Sequence, residues 1–99
     1  MLENFRTYQL ALKLYRQCED ITVPGYLKDQ LLRAASSTCL NLAEGSAKPT
    51  KKDRLRFYYI AFGSLREVQG LVDLQPEKLQ RLKDLSDQLG AHFYRLVHA

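Results

Sequence analysis

Ninety-nine residues, 45% hydrophobic and 26% charged, have the make-up of one ordinary globular domain and leave no room for a second core. No apolar run approaches the ~20 residues needed to cross a bilayer, and residues 1–20 lack the basic, apolar and small segments of a signal peptide, so a cytoplasmic protein is expected. The formal charge is +4, and one stretch carries the whole excess: Lys48, Lys51, Lys52, Arg54 and Arg56 are opposed only by Asp53.

Glycine and proline punctuate the chain at "VPG" (23–25), "EGSAKPT" (44–50) and "DLQPE" (73–77), and the four segments between carry helical periodicity. The first, about 3–20, spaces Phe5, Tyr8, Leu12 and Tyr15 by 3, 4 and 3, with Leu10 and Leu14 widening the stripe. The second, about 26–44, repeats Leu27, Leu31, Ala34, Thr38 and Leu42 along one seam. Gly45 follows directly, the residue expected where a chain turns left-handed after a helix.

The third segment, about 50–72, opens with Thr50 as N-cap and Asp53 three residues on, close to a capping box. Its apolar residues occupy more than one face, as in a central helix. The fourth, about 76–97, has Pro76 in its first turn and a seam of Leu82, Leu85, Leu89, Phe93 and Leu96. Four amphipathic helices of about 27–35 Å joined by short loops predict an all-α, up-down-up-down antiparallel four-helix bundle forming a single domain over 1–99.

A second, polar seam runs along the second helix through Gln30, Arg33, Ser37, Asn41 and Glu44. Arg56, Ile60, Gly63 and Glu67 share a line on the third. In an antiparallel pair, Glu44 or Asn41 would meet Arg56, and Arg33 would meet Glu67. The seam therefore reads either as a solvated face or as a half-buried network of Arg33, Asn41, Glu44, Arg56 and Glu67 that fixes register or a subunit contact. The expectation preferred here is structural: Asn41 and Glu44 close the helix and tie it to an arginine.

Catalytic chemistry finds no support. Ser36-Ser37 lack a nucleophile elbow, and neither His92 nor His98 has a carboxylate one helical turn away to orient it. Cys18 and Cys39 have no C-x-x-C spacing and read as small buried hydrophobes. No catalytic residue, metal ligand or cofactor is assigned.

"QLLRAASSTCLNLAEGSAK" followed by "RFYYIAFGSLREV" resembles the four-helix-bundle proteins encoded in the intervening sequences of bacterial 23S ribosomal RNA genes. The resemblance rests on Gln30, Leu31, Arg33, Ala34 and Ala35, then Asn41, Ala43, Glu44 and Gly45. The third helix adds Arg56, Phe57, Ile60, Ala61, Gly63, Ser64 and Glu67. It covers about residues 5–72, with Tyr8 where a Trp is common. Two departures lie in the loops: "CEDITVPGYLKD" lacks a Pro-x-x-Glu element, and Ser-Ala-Lys follows Gly45 in place of a Gly-Arg pair. The resemblance implies a cytoplasmic bacterial bundle that forms homo-oligomers, with pentameric rings favoured. The accessory proteins of diversity-generating retroelements, which are related to that family, bind nucleic acid and a reverse transcriptase.

Two functions compete. One is a module for nucleic acid, RNA ahead of DNA, using Lys48, Lys51, Lys52 and Arg54 beside the start of the third helix, where free N–H groups also favour phosphate. Four neutralised phosphates give a salt slope of only about −3 to −4, so tight binding would need several copies. No RRM or KH motif is present; Tyr58 and Tyr59 are adjacent, so at least one of them is expected to leave the core and could stack on a base, although a core or interface place is the preferred expectation for both. The other function is an adaptor that binds a protein partner through a helix face.

Overall fold

Phe5 ends a 3₁₀ turn at Leu2–Asn4 and starts the first helix, α1 (Arg6–Asp20), in the computed structural model, which describes residues 2–99. The helices that follow are α2 (Gly25–Ser46), α3 (Lys51–Leu74), a single turn α4 (Pro76–Leu79) and α5 (Lys83–Val97), with a 3₁₀ turn at Gln80–Leu82 joining the last two. The chain is an all-α bundle of four arms, the fourth built from α4, the 3₁₀ turn and α5. α1 packs on α2 and α5, and α3 packs on the same two. The bundle is 41 Å long and 20 Å across.

The buried face of α1 is Thr7, Leu10, Ala11, Leu14 and Cys18. The line picked from the sequence, Phe5, Tyr8, Leu12 and Tyr15, lies at the edge of the core, half-buried. Its large rings made it prominent by hydrophobicity, but the closer-packed centre takes the smaller side chains. α1 stops at Ile21, where the backbone turns extended, and Lys28 Nζ reaches back to donate to the carbonyls of Glu19 and Ile21. A cation on the last carbonyls of a helix satisfies acceptors that have no partner inside it and meets the negative end of its dipole. That side chain holds the α1–α2 turn.

Gly45 corrects the sequence reading. α2 continues past it to Ser46, and no described residue has a positive φ. The glycine is buried where α2 crosses α3, and a Cβ on it would lie 2.8 Å from Tyr58 Cε1 and 2.9 Å from Phe57 Cβ. Its role is close approach of two helices, not a left-handed turn.

Thr50 caps α3 as expected, its Oγ1 accepting from the Asp53 amide at 3.2 Å. Leu79 and Leu82 are fully buried, and the 3₁₀ turn between α4 and α5 sets both toward the same core as Leu85, Leu89 and Phe93. Each buried leucine contributes roughly 1.5–3 kcal/mol. Phe93 stacks on Phe62, ring centres 5.2 Å apart, and locks α5 onto α3.

Candidate nucleic-acid interface

Ala47–Thr50 connect α2 to α3 at one tip of the bundle, and this short link carries or adjoins every cation of the basic segment. The cations are not equivalent. Arg54 is half-buried, and its Nη1 donates to the carbonyls of Lys48 and Pro49, both at 3.1 Å. It acts as a clamp that holds the link in shape. Lys48 Nζ lies 4.0 Å from Glu44 Oε2 and 5.0 Å from the centre of the Phe57 ring. Arg56 Cζ also lies 5.0 Å from that ring centre, so Phe57 serves two cations.

Lys51 Nζ donates to the Ala99 carbonyl at 3.1 Å, tying the start of α3 to the segment just past α5. Lys52 is exposed and makes no hydrogen bond or ion pair among the described residues. Of the four cations assigned from sequence, Lys52 is exposed and without a partner among the described residues, Lys51 is exposed but donates to Ala99, Lys48 faces Glu44 and Phe57, and Arg54 holds the link.

The polar seam divides differently from expectation. Its middle is half-buried: Asn41 Nδ2 donates to the Ser37 carbonyl at 2.9 Å and lies 3.2 Å from Ser37 Oγ. Ser37 Oγ lies 2.8 Å from Ser64 Oγ on α3, and Ser64 donates onward to the Ile60 carbonyl at 3.2 Å. Its ends face water. Arg33, Glu44, Arg56 and Glu67 are all exposed, and neither Glu44–Arg56 nor Arg33–Glu67 is an ion pair among the described residues. Glu44 turns to Lys48 in the link instead, four residues on and with less chain to order. Within the chain, hydroxyls rather than charges bridge α2 and α3. The sequence reading passed over Ser64 as a partner because it stands among apolar residues; its place in register with Ser37 was the available signal.

Tyr58 is buried and Tyr59 is exposed, so the adjacent pair splits as the spacing required. Burial raises the Tyr58 phenol above its usual value, against the opposing charge of Arg54. Beside the link lies an open hollow of about 580 Å³ walled by Leu2, Phe5, Ala43, Ala47 and Tyr58. Its walls offer contact area but no pairing of nucleophile and base. A shallower groove of about 210 Å³ runs between α1 and α2, lined by Tyr8, Leu12, Tyr15, Cys39 and Leu40, with Leu40 66% exposed. Cys18 and Cys39 are buried free thiols, pushed up by desolvation to about 12 and about 11. No group of three or more His, Cys, Asp or Glu that could hold a metal occurs among the described residues. Among the described residues, no helix is long and apolar enough to cross a membrane.

A family model described as 23S rRNA-intervening sequence protein matches residues 3–93, extending well past the 5–72 on which the resemblance was read. No curated protein matches the chain. Among solved structures, the chain is similar to one from Bacteroides thetaiotaomicron VPI-5482, a protein with unknown function from the S23 ribosomal protein family. The TM-score is 0.78 at 14% identity, over 94% of this chain and 99% of that one. At that identity the likeness speaks for the four-helix fold alone. With residues 3–93 matched, the chain belongs to the 23S rRNA-intervening sequence protein family.

Proposed function

We propose that this protein is a non-enzymatic, cytoplasmic binding module for nucleic acid, RNA ahead of DNA, that works as a homo-oligomer. The observation that carries the reading is the gathering of the entire charge surplus, Lys48 to Arg56, at one tip of the bundle. Lys51, Lys52 and Arg56 are exposed there at the start of α3, whose helix end adds favourable N–H dipoles for phosphate. A single copy offers few phosphate contacts. A ring, pentameric by family resemblance, presents the tip several times and multiplies weak contacts into useful affinity.

Light scattering coupled to size exclusion, run at low and high salt with and without total bacterial RNA, tests this. The expected result is an oligomer-sized particle that grows with RNA at low salt and reverts at high salt. A particle indifferent to RNA at every salt would remove the proposal.

The second reading, an adaptor for a protein partner, is favoured by the apolar groove of Tyr8, Leu12, Tyr15 and Leu40 between α1 and α2. Charge reversal of Lys48, Lys51, Lys52 and Arg54 separates the two. RNA binding should collapse, whereas docking on the groove should be unaffected.

A further inference from the structure

The outward ridge of α3 carries Lys52, Arg56, Tyr59, Gly63 and Arg66, spaced 4, 3, 4 and 3, and all five are exposed. At 3.6 residues per turn these positions stay within roughly a quarter of the helix circumference over ~21 Å of length. Between Lys52 and Arg66 the sequence has one acidic residue, Asp53, which lies about a quarter turn off the ridge. A solvated ridge needs only polar side chains, and mixed signs would serve it best. This one has three cations, an aromatic ring and a glycine.

Its arginines are held in place without being neutralised. Arg56 stacks on Phe57, its Cζ 5.0 Å from the ring centre, and Arg66 stacks on Phe62 at 4.7 Å. Arg66 Nη1 also donates to Gln69 Oε1 at 2.7 Å, and Gln69 Nε2 in turn donates to the Ser86 carbonyl on α5 at 3.2 Å. The partners are rings and a neutral amide, so the positive charge remains available while the rotamer is ordered in advance. Between them Tyr59 is 52% exposed, and a Cβ on Gly63 would meet nothing within 4 Å, so backbone is open to close approach there.

We propose that single-stranded nucleic acid lies along this ridge, with Lys52, Arg56 and Arg66 on successive phosphates and an unpaired base stacked on Tyr59. The inference rests on the nucleic-acid reading above and relocates its main contacts from the α2–α3 link to the face of α3. Cations interleaved with an exposed aromatic suit an unstacked strand, because a duplex keeps its base faces to itself. The ridge has room for a short run, roughly four nucleotides.

The test is fluorescence anisotropy of a labelled 12-residue oligouridylate, and of a duplex of equal length, with the full chain at low salt. Arg56→Gln with Arg66→Gln should weaken single-strand binding about tenfold or more and flatten the log–log salt slope by about 1.4, two phosphates' worth. Tyr59→Ala should cost about five- to a hundredfold, and Tyr59→Phe should restore it. Lys48→Gln with Lys51→Gln should change affinity less than about threefold. If the loop pair abolishes binding while the ridge variants bind normally, the ridge proposal falls and the broader reading stands. Equal affinity for the duplex, or loss of binding together with a smaller particle in light scattering, also overturns it. A wild-type chain that binds neither probe would sink the broader reading itself.

Discussion

Ser37 Oγ lies 2.8 Å from Ser64 Oγ, a hydroxyl pair that joins α2 to α3 at the middle of their half-buried contact. Ser37 also receives Asn41, and Ser64 turns back to Ile60, so the pair belongs to a chain of four groups. Removing one hydroxyl leaves the other in a site shaped for two. Ser37→Ala and Ser64→Ala should each cost about 1 kcal/mol, with a coupling of about 0.5–1 kcal/mol in a double-mutant cycle by urea denaturation. Additive losses would show that the two hydroxyls do not depend on one another.

Gly45 and Gly63 should respond oppositely to alanine. At Gly45 the added methyl would press on Phe57 Cβ, which the α3 backbone fixes, so the helices must move apart. Overpacking of about 1–3 kcal/mol then exceeds the roughly 1 kcal/mol gained from helix propensity, and Gly45→Ala destabilises. At Gly63 nothing stands in the way, so Gly63→Ala should stabilise by about 0.5–1 kcal/mol. Thermal and urea melts of both variants check the sign.

Glu44→Ala should be nearly silent. The Glu44 and Lys48 side chains are 57% and 36% exposed and their charges lie 4.0 Å apart, so solvent screens the pair. The loss should stay within about 0.5 kcal/mol and shrink with added salt. A loss above 1 kcal/mol in denaturant melts would mean that another chain buries this carboxylate.

Arg54→Lys keeps the charge but, on a shorter stem, discards the planar guanidinium whose Nη1 donates to two carbonyls at once. It should cost about 1 kcal/mol, well beyond Lys52→Ala, and speed hydrogen exchange in Ala47–Thr50. Equal effects at the two positions would reduce Arg54 to one more surface cation.

Both cysteines should be inert in the folded protein. The thiols' usual value is 9.0, and burial raises Cys18 to about 12 and Cys39 to about 11. At pH 8 that leaves about a thousandfold less thiolate at Cys18 and about a hundredfold less at Cys39 than in the unfolded chain. Iodoacetamide should label Cys39 before Cys18, and both far more slowly than in urea. The folded state holds these protons more tightly, so their contribution to stability is full below pH 9 and is lost as pH rises through about 11 to 12.

The helices were legible because punctuation and period agree: Thr50 caps, Pro76 opens a turn, and the leucines of α2 and α5 repeat on one face. The buried face of α1 was legible only at Leu10 and Leu14, because hydrophobicity weighs Tyr8 and Tyr15 heavily, whereas packing at a close crossing prefers Thr7, Ala11 and Cys18. Gly45 was read as a helix end because a glycine between a helical run and a Pro-containing loop looks the same whether it turns the chain or admits a neighbour. In the candidate interface, composition located the cations but not their separate duties. That Arg54 clamps while Lys52 stands free depends on where the Lys48 and Pro49 carbonyls point. The ridge of α3 was hidden because a spacing of 4, 3, 4 and 3 says which residues share a face and nothing about whether that face is covered.

The 41 Å length of the bundle, set against a charge surplus confined to one tip, bears on how the molecule meets a polyanion. At about 0.15 M salt the field of a charge fades over ~8 Å, a fraction of that length. The far end, with its balanced charges, is therefore electrically silent to anything approaching the tip, and an off-axis encounter experiences a torque rather than a simple pull. The rod turns before it docks. An encounter begun at Lys52 can then lie down along α3, so salt should slow arrival more than it hastens departure.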